Sequence, residues 1–157
     1  MDYRIVEKDA FKIAGVREWT TIKDGQNFVN IPKMWDKMPP EKRSQITSLA
    51  SADLPGILGV CADIQDDGFD YWIAAATTKP CPPNLEEKAI PALTWAVFEA
   101  RGPMPGAIQG IWKRIFSEWF PNSGYEHAKA PELEWYADGD MQADDYRSEV
   151  WIPVVRK

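Results

Sequence analysis

The chain has 157 residues, 45% hydrophobic and 27% charged, with a net charge of -6 at neutral pH. That length suits one domain with a real core, and an acidic balance without a basic stripe argues against direct contact with nucleic acid, whose phosphates call for clustered lysine and arginine. Two cysteines, one histidine and no apolar run approaching ~20 residues leave no disulfide framework, no metal-ligand spacing, no cofactor motif and no membrane span, and point to a cytoplasmic protein. Eight tryptophans stand out. Core packing rarely calls for so many large rings, each with an N–H to satisfy, so some should line a groove or pocket.

The segment "YRIVEKDAFKIAGVREWTT" (3–21) reads as extended, with Gly15 marking a bulge or a close backbone approach. "KDGQN" is a turn. "FVNIPKMWDKM" (28–38) has apolar residues at helical spacing, and Pro32 fits if it lies in the first turn. "PPEKRSQI" suits a short second helix. "PGILGVCADI" (55–64) and "FDYWIAAATT" (69–78) read as strands of a hairpin turned at "QDDG". Cys61, inside the first of these, is expected to be a buried free thiol. "KPCPPN" is a proline-rich linker.

The second half repeats the order. "ALTWAVFEAR" (92–101) is a strand. "GPMPGAIQGIWKRIFSEWF" (102–120) is a helix opened by Pro105 and ended by Pro121. Its apolar stripe is Ile108, Ile111, Trp112, Ile115, Phe116 and Trp119. "ELEWYA" (132–137) is a strand, "DGDMQADD" a loop, and "YRSEVWIPVV" (146–155) the last strand. Seven acids against one base lie between Glu132 and Glu149. A solvated acidic surface is the plain reading of the loop aspartates. His127 reads as a surface residue.

"IPKMWDKM" (31–38) matches "IQGIWKRI" (108–115) at an offset of 77, and "DYWIAA" (70–75) matches "EVWIPV" (149–154) at an offset of 79. Two units sharing one core are expected: repeat one over about 1–78, a linker at 79–85, and repeat two over about 86–157. The fold class is α+β, a tandem pseudo-twofold β-α-β-β repeat. It should form one antiparallel sheet with two main helices on one face and a ligand groove between them. Trp35 and Trp112 would be equivalent on the helices, Trp72 and Trp151 on the sheet. If Trp151 faces the groove, alternation puts Glu149 there too.

The second half, from "IPALTWAVFEARGPMPGAIQGIWKRIFSEWFPNSGYE" to "EVWIPV", resembles the GyrI-like (gyrase-inhibitor-like) effector-binding domain. "IAGVR" and "IPKMW" in the first half fit as well. This module is found at the C-terminus of many AraC-type and some MerR-type transcription regulators. The resemblance covers essentially the whole chain, 1–157, as a single domain. It implies a pocket for amphipathic or aromatic ligands, often lipophilic cations, in which a glutamate on the last strand is central. Carried over by motif, that residue is Glu149. A carboxylate among rings is costly unless it meets a cation, and aromatic faces add cation–π attraction.

Around Glu149 the candidate lining residues are Trp151, Trp72, Tyr71, Trp112, Trp35, Phe98 and Tyr136. Each has a plainer reading. Glu149 suits a surface strand residue paired with a cross-strand Lys or Arg, and the tryptophans suit core packing. The regulators carry a helix-turn-helix region for which no residues are left over here. A stand-alone sensor or sequestering protein for hydrophobic cationic or aromatic small molecules is expected, without direct DNA binding and acting as a homodimer or through a separate regulator. Two alternatives stay open. One is a small-molecule hydrolase, as some GyrI-like proteins are, with Glu149 as general base and Tyr71 or Tyr136 as partner. The other is an acidic protein-binding module such as a gyrase inhibitor.

Overall fold

In the computed structural model, which describes residues 1–157, the extended segment at the start is two strands, β1 (Tyr3–Lys8) and β2 (Phe11–Thr21). Helices α1 (Asn27–Asp36) and α2 (Pro40–Ser48) follow. The hairpin β3 (Ile57–Gln65) and β4 (Gly68–Thr77) closes the first half. The second half holds β5 (Glu86–Ile90) and β6 (Leu93–Arg101). Its helix α3 (Gly106–Arg114) continues through a π-helical turn at Ile115–Trp119 and one more turn at Phe120–Asn122. Strands β7 (Tyr125–His127), β8 (Glu132–Tyr136) and β9 (Arg147–Arg156) complete the chain.

Several local expectations change. Pro32 lies inside α1 rather than in its first turn. It is exposed, so the backbone bond it removes is lost on the solvent side, where water can replace it. Pro121 sits within the last helical turn instead of ending the helix before it. Strands β5 and β7 were not visible in the sequence. β5 reads "EEKAI", a charged edge strand of the kind that discourages pairing with other chains.

The nine strands form an antiparallel sheet in the order β1-β6-β9-β8-β3-β4-β2-β5, with β7 paired to β9. From the centre outwards, β3-β4-β2-β5 mirrors β8-β9-β6-β1, which is the pseudo-twofold arrangement. The outermost strands are exchanged: β1 pairs with β6 of the second half, and β5 with β2 of the first.

That exchange dictates the shape. Only Asp9 and Ala10 separate β1 from β2, and only Pro91 and Ala92 separate β5 from β6. In a flat sheet each of these pairs would be six strand spacings apart, ~29 Å. Three peptide units reach ~11 Å at most. The sheet must therefore roll until its edges approach. Lys8 Nζ lies 5.0 Å from the centre of the Phe11 ring across one of these links.

Rolling gives the sheet two unlike faces. The inner face carries Ile13, Leu58, Val60, Trp72, Ala74, Trp95, Val97, Leu133 and Trp151, all buried. The outer face carries the alternate residues and is covered by the helices through Met34, Ile46, Ile108, Ile115 and Trp119. Close strand packing requires Gly15 on β2. A Cβ there would lie 2.1 Å from the Ile73 carbonyl oxygen and 2.6 Å from the Ala74 Cα. Both are backbone atoms of β4 and cannot swing aside. Gly15→Ala should cost ~1–3 kcal/mol of folding free energy, read as a lower urea midpoint. A midpoint equal to that of the wild type would contradict this close approach of β2 and β4.

Candidate functional site

Strand alternation decides which side chains meet the helices. On β4, Tyr71 and Ile73 face outwards, and Trp72 and Ala74 inwards. On β8, Leu133 points into the roll, which leaves Glu132, Glu134 and Tyr136 on the helix side. On β9, Val150 and Ile152 face the helices while Trp151 faces inwards.

A polar cluster forms where the two halves meet, on β4, β3 and β8. Trp112 of α3 donates its indole N–H to Glu134 Oε2 at 2.8 Å, and the Tyr136 hydroxyl donates to Glu134 Oε1. Trp35 of α1 donates its indole N–H to the Tyr71 hydroxyl at 2.9 Å. The Trp35 and Tyr136 rings meet edge to face at 5.4 Å. Gly59, opposite Glu134 on β3, leaves the space for both phenols. A Cβ there would come within 2.3 Å of the Tyr71 oxygen and 3.2 Å of the Tyr136 oxygen. Each pseudo-equivalent tryptophan thus reaches down from its helix to one polar group of the sheet. Phe116, 53% exposed, stacks on Trp112 at 6.2 Å. Tyr71 also lines a cavity of about 210 Å³ between α1 and β2, with Trp19, Ile31 and Met34.

The electrostatics centre on Glu134. Both of its hydrogen-bond partners are neutral. Burial pushes its carboxyl above the usual range, the two hydrogen bonds pull it down, and the charge of Glu132 pushes it up again. Burial raises the Tyr71 and Tyr136 phenols first and the Glu134 charge adds to it, so both stay protonated at neutral pH. Burial, with Glu132 and Glu134, likewise holds the Cys61 thiol well above its usual range. It is not an activated nucleophile. His127 is partly buried rather than a free surface residue. Its Nδ1 accepts the Lys129 backbone N–H at 2.9 Å, which leaves Nε2 to donate to Glu132 at 3.1 Å.

The structure brings Trp35, Trp112, Tyr71 and Tyr136 together and separates the other candidates from them. Glu149 is on the inner side, not in the groove between the helices. It is 6% exposed, accepts the Trp151 indole N–H at 3.1 Å and pairs with Arg4 at 3.2 Å. Trp151 and Trp72 lie on the same inner face, Trp151 edge to face with Trp95 at 5.8 Å. Arg17 sits over Trp72 while bonded to Asp70 and Glu86, so Asp70, like Glu149, has an arginine beside it, but the Trp72 indole N–H has no partner. Phe98 faces outwards, but it packs between Tyr3 and Trp119, away from the polar cluster. The residue missed was Glu134. Its signal was present in "ELEWYA", two positions before Tyr136 and therefore on the same face of the strand.

Comparison with known proteins agrees with this architecture. A family model described as a GyrI-like small molecule binding domain matches residues 1–155. The structure of SAV2435 bound to tetraphenylphosphonium superposes with a TM-score of 0.88 at 25% identity, over 99% of this chain and 94% of that one. A putative transcription regulation protein from Staphylococcus aureus MU50 superposes with a TM-score of 0.82 at 25% identity, over 98% of each chain. A DNA gyrase inhibitor of Erwinia billingiae is 37% identical over 43 residues, a match spanning 27% of this chain and 28% of that relative.

A raised carboxyl makes stability depend on pH in a defined direction. The folded chain holds the Glu134 proton more tightly than the unfolded chain, whose group titrates near 4.5. Its stabilising contribution is complete below that value and is lost as pH rises through the raised folded value. Glu134→Gln should therefore melt ~2–4 °C above the wild type at pH 7, with the gain vanishing below about pH 4.5. A difference that does not change with pH would show that burial does not strain this carboxylate.

Proposed function

The chain belongs to the GyrI-like small-molecule-binding family, and from that premise we propose that it binds flat or bulky aromatic cations in the groove between α1 and α3, with Glu134 as the charge-recognising residue. The observation that carries this reading is a partly buried carboxylate whose partners are two neutral donors, ringed by Trp35, Trp112, Tyr71 and Tyr136. Two neutral hydrogen bonds satisfy its oxygens but leave its charge uncompensated. A ligand cation supplies what is missing, and a low local dielectric strengthens the attraction. Each indole or phenol face adds ~0.5–2 kcal/mol by cation–π attraction without demanding one geometry. The relative SAV2435, with tetraphenylphosphonium bound, supports this ligand class.

Access to Glu134 passes the two indoles that roof it. A ligand must trade the Trp35–Tyr71 and Trp112–Glu134 hydrogen bonds for ring contacts. Recognition then depends on charge and aromatic area more than on outline, which suits a sensor or sequestering protein that accepts several compounds. Glu149 serves the fold instead. It meets a guanidinium and an indole within the chain, so its charge is already compensated.

Tryptophan fluorescence with tetraphenylphosphonium, and with the neutral triphenylphosphine oxide as control, separates the two glutamates. Glu134→Gln should weaken the cation at least tenfold, ~1.4 kcal/mol, and leave the neutral compound within about twofold. Glu149→Gln should leave both affinities near wild type and instead lower stability by ~1 kcal/mol. Loss of cation binding in Glu149→Gln with retention in Glu134→Gln would reverse the assignment.

A further inference from the structure

The two halves of the groove are not equivalent, and the difference is a charge. Helix α2 has no counterpart in the second half. It is anchored under its far side by Ile46 and Leu49, both in the outer core, which sets where its exposed residues stand. One of them is Arg43. Its guanidinium carbon lies 5.6 Å from the centre of the Trp35 ring, within cation–π range. Burial raises the Tyr146 phenol above its usual range, and the Arg43 charge, across the junction between the halves, offsets part of that rise. Trp112, the counterpart of Trp35, stacks with Phe116 instead. Trp35 is therefore engaged three ways: its N–H by Tyr71, its edge contact by Tyr136, and its face by a cation that belongs to the protein.

We propose that Arg43 is a specificity-determining residue of the groove, a resident cation that competes with a ligand cation for the face of Trp35. The inference rests on the reading of the groove as a site for aromatic cations. A ligand that slides between Trp35 and Trp112 towards Glu134 has to displace the guanidinium from the indole or bear its repulsion at short range. A neutral aromatic compound bears no such repulsion. Arg43 thus narrows the preference for cations that Glu134 creates, and favours ligands whose charge lies closer to Glu134 than to the guanidinium over Trp35.

The test is a titration of wild type, Arg43→Met, Arg43→Lys and Glu134→Gln with tetraphenylphosphonium and triphenylphosphine oxide. Arg43→Met keeps the aliphatic stem at an exposed helix position and removes the charge. It should bind the cation ~3–10-fold tighter than the wild type and the neutral compound within about twofold. Arg43→Lys retains the charge and should stay near wild type. A cation affinity unchanged or weakened in Arg43→Met, or an equal gain for both probes, overturns the proposal. If in that case Glu134→Gln still weakens the cation, the functional reading survives and only the role of Arg43 falls. If no protein binds the cation, both fall together.

Discussion

Two links of two residues each, Asp9-Ala10 and Pro91-Ala92, are the constraint from which the rest follows. They tie each edge strand to the opposite side of an eight-strand path, and the sheet can satisfy them only by rolling. The roll seals one face as a core and leaves the other to the helices. Lys8, bonded to Asp53 at 2.7 Å and resting on Phe11, braces one link where it crosses. Once the roll is set, parity along each strand decides whether a side chain packs inside it or meets the helices.

Five of the eight tryptophans divide along that line. Trp72, Trp95 and Trp151 fill the inside of the roll, and Trp35 and Trp112 reach the sheet from the helices. The acids divide too. Asp70 and Glu149 each have an arginine of the chain beside them. Glu132 has His127. Glu134 has only an indole and a phenol. Its position on the outer face, at the junction of the halves, gives one carboxylate a negative charge without a partner and surrounds it with rings from both helices.

Much of this was legible in the sequence because it rests on periodicity. The stripe of α3, the Trp35 and Trp112 match and the β3–β4 hairpin all carry local signals. The parity of β4 and β9 did not. "YWIAAAT" and "VWIPV" are buried on both faces, and a strand buried on both faces reads as a continuous apolar run with no alternation to orient it. A glutamate beside a tryptophan on such a strand looks the same from either side. The roll that hides Glu149 comes from pairings of β1 with β6 and β2 with β5, contacts between distant segments that leave no local pattern. On β8 the cue was better. Glu132, Glu134 and Tyr136 alternate with Leu133, so the parity that put Tyr136 beside the helices applied to Glu134 too, although Glu134 was not among the candidates.

The central claim is positional: the charge that recognises the ligand lies outside the roll, under the two indoles. A crystal structure of the complex with tetraphenylphosphonium tests it most directly. The account predicts the phosphonium centre between α1 and α3, within about 6 Å of the Trp35 and Trp112 rings, facing the Glu134 carboxylate, with Arg4 still bonded to Glu149. A phosphonium bound beside Glu149 with Arg4 displaced, or one seated against α1 and β2 away from Glu134, would contradict it.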